Sequence, residues 1–167
     1  MAQTPLRAFN LAEEADALNL ISPCVALPEW TKNVVAQRPY DSLRALTESA
    51  AQLTQAWNRN DLLLALSTHP RIGEKAQGSS KEAVLSQGEQ SAVNTRNSAL
   101  SLALVQGNAE YEARFGHVFL IRAKGRSGEE ILAELQRRLH NSPAKEEAEA
   151  LEQLRQITLL RLEGVFA

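Results

Sequence analysis

Three stretches hold side chains that could do chemistry. In Ser67-Thr68-His69-Pro70-Arg71-Ile72-Gly73, His69 precedes a proline, which pushes it out of the helical region of backbone space. His69 is therefore expected where a helix through Leu62 to Leu66 stops, beside a glycine-containing loop. Histidine titrates near neutrality, so an imidazole held in one place suits proton transfer. In Ser86-Gln87-Gly88-Glu89-Gln90, the spelling Ser-x-x-Glu marks a helix start. Free N–H groups and the helix dipole at such a start favour an anionic or carbonyl-rich molecule. The third stretch holds Arg161. At helical spacing Leu154, Ile157 and Arg161 fall within about 60° of one another, so the guanidinium points into or along an apolar face. There it needs a carboxylate, either Glu89 or a bound anion.

Each stretch also has a purely structural reading. His69 fits an imidazole bonded to the last carbonyls of a helix. Glu89 fits the third position of a capping box, and Arg161 fits a side chain snorkelling at a core edge. His117 and His140 show no obvious partner, and Cys24, between Pro23 and Val25, reads as a core residue. The three histidines lack metal-ligand spacing, and the single cysteine rules out both an internal disulfide and a cysteine-pair zinc site. No phosphate loop, nucleophile elbow or dinucleotide fingerprint is present.

The 167 residues fit one domain, 1–167, large enough to bury roughly 70 % of the unfolded surface. A formal net charge of −2 with scattered signs and no basic stripe argues against nucleic acid. No apolar run approaches the ~18–20 residues of a membrane span. Neither a secretory leader at Met1–Asn10 nor a peroxisomal signal at the C-terminus is expected, and the cytoplasm is the expected compartment.

Helix formers dominate, with 8 Gly, 6 Pro and few β-branched runs, which predicts an all-α fold. Asn10-Leu11-Ala12-Glu13 spells a capping box ahead of Ala15, Leu18 and Ile21. Pro28 opens a short helix. Asp41 or Ser42 caps the next, through Leu43, Leu46, Ala50 and Leu53, and Asp61 opens another. Residues 71–86 read as a polar loop. A long helix is expected from Ser86 to about Val105, interrupted at Gly107-Asn108, with a short helix to Phe115. His117 to Ile121 is the only strand-like run, and a lone strand reads as a buried extended segment. Ser127 and Ser142-Pro143 begin the last two helices. The expectation is a single-domain bundle of about eight to nine helices with one extended segment near 117–122.

The ordered set His69-Pro70-Arg71-Ile72-Gly73, Ser86 to Gln90, Asn108 to Tyr111, Phe115-Gly116 and Arg161-Leu162 resembles the OHCU decarboxylases, which act on 2-oxo-4-hydroxy-4-carboxy-5-ureidoimidazoline. Phe9-Asn10, Cys24, Trp30 and Arg38-Pro39-Tyr40 are similar to the family as well. Many relatives have His-Pro-Asp-Leu-Gly, whereas Arg71-Ile72-Gly73 is the spelling of a bacterial branch. The resemblance implies a helical bundle that decarboxylates OHCU to (S)-allantoin in urate breakdown, without metal or organic cofactor, and a homodimer. It implies His69, Glu89 and Arg161 as catalytic residues. It also implies a small-molecule ureide held by Pro70, Ser86, Gln87, Gly88 and Gln90, and by Phe119, Leu120, Ile121, Arg122 and Ala123. Two rivals compete on the residues alone: a non-enzymatic helical interaction module, and a ureide hydrolase in which His69 or Glu89 activates water.

Overall fold

Side-chain caps start most of the helices. In the computed structural model, which describes residues 4–69, 71 and 98–167, eight α-helices and one short 3-10 turn follow one another among the described residues. They are α1 (Pro5–Leu11), α2 (Glu14–Ile21), the 3-10 turn (Ser22–Cys24), α3 (Pro28–Ala36), α4 (Leu43–Thr54), α5 (Arg59–Leu66), α6 (Ser98–Phe115), α7 (Gly128–Arg138) and α8 (Pro143–Val165). Thr4 caps α1 by accepting the Arg7 N–H at 3.2 Å, and Ser42 caps α4 through Ala45 at 3.0 Å. Ser127 and Ser142 do the same for α7 and α8, at 3.1 and 3.2 Å. Pro28 and Pro143 occupy first turns, where a missing N–H costs nothing. No strand occurs among the described residues, and the fold class is all-α, as the composition predicts.

Several boundaries differ from the sequence expectation. The sequence pattern does not predict α1, and Asn10 lies inside it. Instead of capping α2, the Asn10 amide donates to the Tyr40 carbonyl and accepts the Tyr40 N–H, each at 2.9 Å. The opener of α5 is Asn58, with Asp61 returning the bond as the reciprocal half of a capping box (3.1 and 3.0 Å). Gly107-Asn108 does not interrupt α6, which runs unbroken to Phe115. A Cβ at Gly107 would stand 2.6 Å from Leu135 Cδ2, so the glycine serves close packing of α6 on α7. Gly116, at φ +79°, ends α6 as a left-handed cap, its N–H donating to the Glu112 carbonyl at 2.9 Å.

The described chain forms two compact units. The first comprises residues up to Ala65 together with Arg155–Ala167. Its core contains an edge-on Phe9–Phe166 pair at 5.4 Å and a Trp30–Trp57 pair at 6.3 Å. Arg38 donates to the Phe9 and Ala12 carbonyls at 2.7 and 2.8 Å, satisfying the C-terminal end of α1.

The second unit comprises Leu66–Leu154. Leu100, Leu104 and Tyr111 of α6 pack with Ile131 and Leu135 of α7 and with Phe119, Ile121 and Ala123. Beside this core Arg137 reaches Glu134 and Glu149, each at 2.7 Å. These hydrogen bonds hold both carboxyls below the usual glutamate range. A lowered folded pKa adds stability that is present above the unfolded value of about 4.3 and is lost as pH falls through the folded value. Melting curves of the native chain and Arg137→Gln are therefore expected to be separated at about pH 6 and to converge as pH falls from about 4 towards 2. A separation unchanged over that range would show that the three charges do not act together.

Candidate active site

The chain turns out of α5 at Ser67-Thr68, and the His69 N–H donates to the Leu66 carbonyl at 3.1 Å. His69 is thus half-buried and directly past a helix end, where the restriction imposed by Pro70 puts it. Two residues on, Arg71 Nε donates to both oxygens of Glu112 on α6, at 2.9 and 3.1 Å. This ion pair ties the chain just beyond His69 to α6 within the second unit. As a partly exposed pair it contributes little to stability, so its weight is geometric.

Phe119, Leu120, Ile121, Arg122 and Ala123 lie in the link between α6 and α7, outside any helix or ladder, and all but Arg122 are buried. Long side chains take up parts of their backbone. Arg138 Nη1 donates to the Leu120 carbonyl at 2.8 Å. The Arg122 N–H donates to Gln153 Oε1 at 2.9 Å, and Arg126 Nε donates to the Arg122 carbonyl at 2.9 Å. The Arg122 Nε is buried with no hydrogen-bond partner among the described residues. His117, for which the sequence shows no partner, sets its Nδ1 3.1 Å from the Val118 carbonyl and packs edge-on against Tyr111 at 5.5 Å, a structural role.

Behind that link lies a buried polar cluster that sequence reasoning missed. Arg138 is 1 % exposed and Glu146 is 0 % exposed. Arg138 Nε sits 3.0 and 3.1 Å from the Glu146 oxygens, and Nη2 sits 2.5 Å from Oε2. Tyr111 donates its hydroxyl to Glu146, and Asn141 Nδ2 donates to it at 3.1 Å. Burial first, then the bond to Glu146 and its charge, drive the Tyr111 hydroxyl far above the usual tyrosine range, so it stays a donor. The Arg138 guanidinium also lies over the Phe119 ring, 4.5 Å from its centroid.

In the first unit Arg161 is 4 % exposed, and its Nη1 donates to the Cys24 carbonyl at 3.2 Å. The side chain does point inward, as its helical phase requires, and Cys24 is itself a core residue. A cavity of about 180 Å³ in this unit, lined by Trp30, Leu53, Trp57, Asp61 and Leu64 among others, contains none of the sequence-derived site residues. Pro70, Ser86, Gln87, Gly88, Glu89 and Gln90 lie outside the described residues. Among the described residues no three His, Cys, Asp or Glu side chains group as metal ligands.

The chain is similar to known proteins over nearly all its length. It is 34 % identical over 148 residues to the uric acid degradation bifunctional protein of Arabidopsis thaliana, covering 86 % of this chain and 45 % of that protein. It is 24 % identical over 164 residues to the uric acid degradation bifunctional protein of Bacillus sp. strain TB-90, covering 96 % of this chain and 32 % of that protein. The chain therefore spans less than half the length of either bifunctional relative. A crystal structure of OHCU decarboxylase in the presence of (S)-allantoin superposes with a TM-score of 0.72 at 26 % identity, covering 93 % of this chain and 99 % of that one. The family model described as OHCU decarboxylase matches residues 10–163. With that match spanning both units, the chain belongs to the OHCU decarboxylase family.

Proposed function

We propose that the protein is a carboxy-lyase that converts OHCU to (S)-allantoin in urate degradation. The observation that carries this reading is the family match over residues 10–163. The position of His69 just past the end of α5 agrees with it.

The chemistry asks for three things: orientation, charge stabilisation and proton handling. The bond from the ring carbon to its carboxylate breaks, and CO2 leaves. The electron pair left behind moves towards the conjugated C=N of the imidazoline, so the substrate carries its own electron sink. The hydroxyl loses its proton as it becomes the ring carbonyl. A ring nitrogen and the carbon bearing the ureido group each gain one. In this scheme His69 takes the hydroxyl proton. Glu89 hydrogen-bonds the hydroxyl or a ring N–H, and Arg161 offers its planar donor fork to Glu89 or to substrate oxygens. Pro70, the Ser86–Gln90 stretch and the backbone of Phe119–Ala123 hold the ring and ureido amides, which need paired donors and acceptors. Protonation of one face gives the (S) product. The chain works as a single domain in the cytoplasm, a setting that suits its one cysteine, and pairs as a homodimer.

The test is a coupled assay in which OHCU is generated from urate and optical activity is followed with time. Spontaneous decay gives racemic allantoin, so the protein is expected to produce a lasting (S) signal together with CO2. Racemic product at the spontaneous rate would overturn the reading, and ammonia in place of CO2 would point to a hydrolase.

A further inference from the structure

The link that carries Phe119–Ala123 has no sheet to hold it, yet it is gripped at two neighbouring points. Arg138, from α7, takes the Leu120 carbonyl at 2.8 Å, and Gln153, from α8, takes the Arg122 N–H at 2.9 Å. The residue between is Ile121, 3 % exposed. Among the described residues no hydrogen bond takes up its N–H or its C=O. Buried backbone groups are nearly always paired, so an unpaired donor and acceptor on one residue call for a ligand. A ureide, with N–H and C=O side by side, is complementary to that pair.

Arg138 is in turn fixed from behind. Its fork is closed on Glu146, which also receives Tyr111 and Asn141, and its face lies on Phe119. The guanidinium that holds Leu120 therefore cannot swing without breaking a buried ion pair. Gln153 is half-buried and has no comparable network in view, which makes it the better residue to alter.

We infer that Arg138 and Gln153 are positioning residues: they clamp the backbone at Leu120 and Arg122 so that the N–H and C=O of Ile121 meet the amide edge of the ureide. This rests on the proposed decarboxylase reading. Neither side chain reaches a reacting atom in this scheme. Their removal weakens the hold on substrate and transition state alike, which appears in KM and leaves kcat nearly unchanged.

The experiment compares the full chain with Gln153→Leu and Gln153→Glu by steady-state kinetics on OHCU, with thermal melting of each. Gln153→Leu, which cannot accept the Arg122 N–H, is expected to raise KM about tenfold with kcat within about threefold and little change in melting temperature. Gln153→Glu keeps an acceptor oxygen and is expected to restore KM. Unchanged KM in a folded Gln153→Leu would overturn the inference while leaving the decarboxylase reading intact. So would a fall in kcat alone, or a failure of Gln153→Glu to restore KM. A native chain inactive on OHCU would overturn the reading, and the inference with it.

Discussion

His69→Ala is expected to lower turnover of OHCU by about 10²–10⁴-fold while melting at nearly the native temperature. The size follows from the role: a positioned general acid or base is worth that factor, and the spontaneous reaction supplies the remaining rate. The small effect on stability follows from the setting. His69 is half-buried past the end of α5, and the hydrogen bond that closes the turn uses its backbone N–H on the Leu66 carbonyl, which alanine keeps. Initial rates of (S)-allantoin formation, read by circular dichroism, measure the first quantity, and a thermal melt measures the second. A second variant sharpens the result. His69→Gln retains hydrogen bonding at this position, but an amide cannot shuttle a proton near neutrality, so this variant is expected to be as slow as the alanine one. Near-native turnover in a folded His69→Ala would remove the histidine from the mechanism and return it to a helix-end role.

The parts of the fold that are legible in the sequence are those governed by local rules. Ser42, Ser127 and Ser142-Pro143 start helices because their oxygens meet N–H groups three residues on, whatever the rest of the chain does. His69 falls at a helix end because Pro70 restricts it directly. What the local pattern misleads on depends on partners far along the chain. Asn10-x-x-Glu13 has the spelling of a cap, but Asn10 is drawn instead into a two-way contact with Tyr40, thirty residues on. Gly107 has the spelling of a break, but Leu135 of another helix needs the space. Arg161 is legible as an inward-pointing cation from its helical phase, whereas its acceptor, the Cys24 carbonyl, lies 137 residues away. The backbone clamp at Leu120 and Arg122 is illegible for the same reason: its donors and acceptors are polar side chains on helices whose facing no local pattern reveals.

The buried ion pair is the clearest case of such hidden dependence, and it carries the largest expected effect on stability. Glu146→Ala leaves the Arg138 guanidinium without its carboxylate at a site that is 1 % exposed, and strips an acceptor from Tyr111 and Asn141. Breaking a buried pair by removing one partner costs about 3–5 kcal/mol, because a charge stays behind without compensation. For a chain of this size that is a fall in melting temperature of roughly 6–20 °C. Replacing both partners with apolar residues of similar volume, as Arg138→Met with Glu146→Leu, removes the charge together with its counter-charge and is expected to recover most of the loss. If the double variant melts no higher than Glu146→Ala, the pair is not governed by desolvation as argued. Recovery of stability should not bring recovery of substrate binding, since a thioether has no donor for the Leu120 carbonyl and the clamp on that side is gone. A double variant that is stable, keeps its kcat and binds OHCU weakly would separate the two tasks of Arg138, filling a buried site and holding the backbone beside the substrate.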